Sequence, residues 1–132
     1  MRPADPRELA AVFAGGFLGA IARVALAQGW AVDPGAWPWA TFVANIAGAF
    51  VLGYATASLH SRAPVASLRL RFLGTGFCGA LTTFSTLQLE LLEMLDSAHY
   101  GLAIAYALTS IAAGLAAVVV AAGLARRARV AG

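Results

Sequence analysis

The chain has 132 residues, of which 61% are hydrophobic and 11% charged. That balance excludes an ordinary water-soluble domain of this length, which needs a polar shell these residues cannot build. The net charge of +3 comes from nine arginines and no lysine, and the arginines lie mostly at the ends of apolar runs, a membrane-topology pattern and not a nucleic-acid footprint.

The first apolar run spans about residues 9–28 and is interrupted by Arg23. A competing reading takes MRPADPREL as the charged head of a secretory signal, with Ala25-Leu26-Ala27 as its cleavage site. Glycines at 15, 16 and 19 weaken such a signal helix, and Arg23 sits badly before the cut. The second run, 38–60, holds no charged residue and is long enough to cross a hydrocarbon core of about 30 Å. Trp30 to Trp37 links the two through the turn pair Pro34-Gly35, with tryptophans suited to the headgroup level. Ser61 to Leu68, broken by Pro64, leads into a third run over 70–95. The fourth, 100–125, is again free of charge. The expected architecture is all-α: one four-helix transmembrane domain over residues 1–132. Small residues four apart (Gly15 and Gly19, Ala44 and Gly48, Ala49 and Gly53, and Ala113, Ala117 and Ala121) predict close helix packing.

The third run contains GTGFCGALTTFSTLQLE, residues 74–90. Gly76, Gly79 and the Thr82-Thr83 pair allow a helix break near mid-membrane, and such a break presents free carbonyls to a cation. A continuous glycine-rich helix, its hydroxyls bonded to the preceding turn, fits the same letters. Asn45 puts an amide in an apolar helix, which invites either a functional role or an interhelical hydrogen bond. Tyr106 and Ser110, four apart, share one face of the last helix.

Enzyme chemistry finds little support. His60, His99 and Cys78 lack metal-ligand spacing, and Ser85 has no neighbouring base. Glu90, Glu93 and Asp96 read as a solvated acidic mouth at the end of the third run.

GFCGALTTFSTLQLE, with NIAGAFVLG before it and GAIAR in the first run, resembles the small fluoride channel family, called Fluc or CrcB. The resemblance covers nearly the whole chain. It implies passive fluoride export across the cytoplasmic membrane by an antiparallel dimer, with a structural sodium ion at the dimer centre. On that resemblance the sodium would be held by the backbone carbonyls of Gly79 and Thr82. Asn45, Phe84, Ser85, Thr86, Tyr106 and Ser110 would line the fluoride pore. An amide supplies N–H donors, and an aromatic edge is positive enough to face an anion. Arg23 matches a vestibule arginine. Leu87 stands where the family pattern has a second phenylalanine, so one aromatic contact is missing.

Two other functions compete. A small multidrug-type exchanger needs a membrane-embedded carboxylate, and the first, second and fourth runs have none. A non-conducting partner subunit of a heterodimeric channel fits Leu87. Arginine placement bears on the same choice. With four spans, Arg2, Arg7, Arg62, Arg69, Arg71, Arg126, Arg127 and Arg129 share one side, and at most Arg23 lies on the other. Such bias predicts a single orientation with both termini cytoplasmic, favouring a heterodimer over a homodimer.

Overall fold

In a computed structural model the described residues are 5–30, 35–59 and 68–130. Pro34, His60 and nearly all of the Ser61 to Leu68 connection, including Arg62 and Pro64, lie outside them, as does Arg2. The described part is all-helical. Among the described residues, three helices are long and apolar enough to cross a membrane: α1 (Pro6–Gly29), α2 (Trp39–Ser58) and α5 (Tyr100–Val130). This is a multi-pass membrane protein.

Asp5 starts α1 by accepting the Arg7 N–H at 2.9 Å, with Pro6 in the first turn, where its missing donor costs nothing. The helix runs unbroken through Ala25-Leu26-Ala27, and its middle is wedged into the bundle. Cβ atoms at Gly15 and Gly19 would overlap the carbonyl oxygens of Phe72 and Phe77. In the reverse direction, a Cβ at Gly76 would lie 2.6 Å from Val12 O. Without side chains at these positions, backbone meets backbone, which is how helices associate where lipid supplies no hydrophobic drive. The first run thus packs closely against the third through its glycines.

The third run, 70–95, is broken, as the glycines and the Thr82-Thr83 pair allow. Helix α3 covers residues 68–81, of which Arg71–Cys78 is π-helical and Gly79–Leu81 closes a final α turn. The wider winding shows in the Gly79 N–H, which reaches back five residues to Gly74 O. The backbone then turns extended at Thr82 (ψ 151°) and Thr83 (φ −148°) before α4 (Phe84–Asp96) begins.

A tight turn joins α4 to α5. Ala98 adopts φ 60°, while Ala98 N–H and His99 N–H bond Leu95 O and Met94 O, a Schellman closure with alanine where glycine is usual. Helix α5 continues past 125 to Val130, because residues 126–129 are arginine and alanine, both good helix formers. Its main partner is α2, where Gly53 lets Val118 approach and Ala121 is fully buried.

Candidate functional site

The site is built around the two extended residues between α3 and α4. Asn45 on α2 faces them and bonds Thr83 at both ends of its amide. Nδ2 donates to Thr83 O at 3.1 Å, and Oδ1 accepts the Thr83 N–H at 2.8 Å. Thr83 is also the N-cap of α4, its Oγ1 accepting the Thr86 N–H at 3.2 Å. Thr82 is anchored on the other side, where its hydroxyl and its N–H both donate to Cys78 O. Gly48, one turn after Ala44 on α2, leaves the space that the Thr82 methyl occupies.

These bonds decide which carbonyls are left over. In a continuous helix the Thr83 N–H would serve Gly79 O and the Thr86 N–H would serve Thr82 O. Asn45 Oδ1 captures the first donor and Thr83 Oγ1 the second. Gly79 O and Thr82 O thereby lose their helical partners. Main-chain oxygens of this kind are hard ligands suited to a hard cation. Two per chain fall short of a full coordination shell. Among the described residues, no group of three or more His, Cys, Asp or Glu side chains could hold a metal.

Beside the break lies a cavity of about 310 Å³ between α1, α2 and α4. Arg23, Thr41, Thr83, Ser85 and Thr86 contribute its polar lining. Helix α1 brings the guanidinium and the N-terminal turn of α4 brings the hydroxyls. Positive charge and hydroxyl donors on one concave surface raise the local concentration of a small anion and offer it hydrogen bonds.

Thr41 connects this cavity to the interior. Its Oγ1 donates to Glu90 Oε1 at 2.6 Å, and Tyr106 Oη donates to Glu90 Oε2 at 2.7 Å. Tyr106 is fully buried and Trp37 packs against it edge-on, ring centroids 5.3 Å apart. The acidic stripe therefore needs correction: Glu93 and Asp96 are exposed, but Glu90 is not part of a solvated mouth. It shares an inward face with Leu87, Leu91 and Met94, a spacing of three and four readable in the sequence. Thr41 was also missed, for it gains meaning only once α2 lies against α4.

The expected site residues thus separate into groups. Asn45 lies at the break, and Arg23, Ser85 and Thr86 share the cavity. Tyr106 is reached from the cavity through Thr41 and Glu90. Ser110 follows one turn later, its Oγ buried and without a partner among the described residues. Phe84 points away from this interior and is 73% exposed on the single chain. Leu87 packs against the Met94, Ala103 and Tyr106 cluster.

Residues 10–123 match the family described as CrcB-like protein, Camphor Resistance (CrcB). A fluoride-specific ion channel, FluC 1, of Mycolicibacterium paratuberculosis is 61% identical over 126 residues, covering 96% of each chain. FluC 1 of Mycobacterium bovis is 55% identical over 126 residues, again 96% of each. FluC 2 of Nocardia farcinica is 42% identical over 125 residues, 94% of this chain and 89% of the relative.

Proposed function

We infer function from the premise that this chain belongs to the CrcB-like family: it is a fluoride-selective ion channel and not an enzyme. Near-full-length identity of 61% to a fluoride-specific channel carries that reading. The cavity that joins Arg23 to the Ser85 and Thr86 hydroxyls supports it chemically. Fluoride is small and strongly hydrated, so a selective path must replace its water with good donors. Passive flow outward across the cytoplasmic membrane would relieve fluoride toxicity.

The finer assignments belong to the same proposal. Helices α3 and α4 together make the third of four crossings, interrupted at Thr82 and Thr83. Fluoride enters beside Arg23, meets Ser85 and Thr86, and passes Asn45, Tyr106 and Ser110. Asn45 has a second Nδ2 hydrogen beyond the one given to Thr83. Phe84 serves a path completed by a second subunit, which its outward direction on one chain favours. Gly79 O and Thr82 O hold a structural sodium ion, with an equal pair from the other subunit of an antiparallel dimer. The bound ion would supply positive charge at the break and tie the two subunits together. Arginine bias favours a single orientation, both termini cytoplasmic, and hence a heterodimer.

A proton-coupled exchanger has one observation in its favour, the half-buried carboxylate of Glu90. Growth on fluoride tests the main reading. Expression in a fluoride-sensitive bacterium lacking its own exporter, with any necessary second subunit, should restore growth on fluoride and leave drug tolerance unchanged. Drug tolerance without fluoride tolerance would favour the exchanger.

A further inference from the structure

The end of the molecule where α1 and α3 begin and α2 and α5 finish carries a feature the fluoride path does not use. Contacts fix these termini together: Arg71 of α3 pairs with Glu8 of α1 at 3.5 Å, and the Arg129 guanidinium of α5 donates to Ala57 O of α2. Arg69 stands between two open apolar grooves. One, of about 330 Å³, runs along Phe50, Tyr54, Ala55 and Ser58 of α2. The other, of about 440 Å³, runs along Ala11 of α1 with Leu68 and Phe72 of α3. Arg69 and Leu73 line both. Arg69 is exposed and makes no salt bridge among the described residues. Arg129 lies next to the first groove, since its acceptor Ala57 precedes the groove residue Ser58.

Two apolar troughs meeting at one exposed guanidinium match one chemical shape: two hydrocarbon tails leaving a single anionic head. A single-chain amphiphile fills only one trough. A zwitterionic head brings a cation against Arg69 and Arg129. Basic pockets between transmembrane helices at the membrane surface bind anionic headgroups for the same reason, and arginine grips phosphate oxygens through its planar fork of donors. We propose that this surface is a binding site for one diacyl anionic phospholipid, phosphate on Arg69 with support from Arg129, and one acyl chain in each groove.

The test uses the purified full-length protein, with any necessary second subunit, in a neutral detergent. Thermal denaturation is followed while dioleoyl phosphatidylglycerol, dioleoyl phosphatidylcholine or lysophosphatidylglycerol is titrated. Diacyl phosphatidylglycerol should raise the melting temperature at a concentration about fivefold or more below that needed for phosphatidylcholine, the effect of one arginine near a headgroup. Lysophosphatidylglycerol should be weaker than its diacyl counterpart. Arg69→Gln should remove the preference for phosphatidylglycerol, Arg69→Lys should retain part of it, and Arg127→Gln should leave it intact. Equal response to phosphatidylglycerol and phosphatidylcholine, or an unchanged preference in Arg69→Gln, overturns the proposal. So does efficient disulfide formation between cysteines placed at Tyr54 of two copies, with Cys78 replaced, because a second protein chain would then fill the groove. None of these readouts depends on fluoride flux.

Discussion

Asn45 uses both ends of its amide on Thr83, so it pins the break as well as facing the proposed path. Asn45→Ala leaves a Thr83 N–H and a Thr83 C=O without partners, at a cost of about 2–6 kcal/mol. Fluoride flux and thermal stability should therefore fall together, which melting and efflux on one preparation will show. Normal stability with lost flux would mean the amide matters only to the ion. Glu90 is the other residue whose role depends on its neighbours. Tyr106→Phe removes one of its two hydroxyl donors, a charge-assisted bond, and should destabilise the protein by about 1.5–3 kcal/mol. Thr41→Val removes the other, and because both bonds end on one carboxylate, the double mutant should not be additive. A double-mutant cycle by thermal or denaturant unfolding measures this. The sequence contained the clue to Glu90 in its spacing from Leu87 and Met94, whereas the partnership with Thr41 depended on how α2 lies against α4.

At the scale of the helix, α3 is shaped from outside. The GTGFCGALTT letters allow a break, but a continuous helix satisfies them equally well. The choice is made by Asn45 Oδ1 and Thr83 Oγ1, which take the N–H groups that would otherwise serve Gly79 O and Thr82 O. Only one of those two oxygens lies within the segment itself, which is why the segment's own sequence leaves the matter open. The π-helical stretch Arg71–Cys78 was not legible for a related reason: it is fitted against Gly15 and Gly19 of α1, contacts distant in sequence. Substituting these glycines separates packing from propensity. Gly15→Ala and Gly19→Ala place a methyl on backbone oxygen and should abolish a monodisperse product in size-exclusion chromatography. Gly123→Ala meets nothing within 4 Å and should be neutral or slightly stabilising, alanine being favoured in helices by about 1 kcal/mol. The α4–α5 turn gives the opposite case. Ala98 holds a left-handed conformation, so Ala98→Gly should raise the melting temperature by relieving about 1 kcal/mol of strain.

For the whole molecule, charge separates along the long axis. Arg7, Arg69, Arg71, Arg126, Arg127 and Arg129 gather at one end and outnumber Asp5 and Glu8 there, Glu93 and Asp96 lie at the other, and Arg23 is beside the cavity. The positive-inside rule then predicts one orientation. With Cys78 replaced and a cysteine added at the C-terminus, impermeant maleimide should label the protein only after the cells are opened. Labelling in both intact and opened cells would mean dual insertion and would remove the argument for a heterodimer. Composition, apolar runs and the third-run motif made the membrane class and the family legible without coordinates. The assembly was less so: the letters do not tell that Phe84 is exposed on the single chain or that Gly79 O and Thr82 O lose their helical partners. The central claim, selective fluoride conduction, is tested most directly by ion-selective electrodes on proteoliposomes containing the protein and any necessary second subunit. Vesicles loaded with fluoride and chloride, with potassium flux permitted by an ionophore, should release fluoride rapidly and retain chloride. Release of both ions at equal rates, or of neither, would contradict the account.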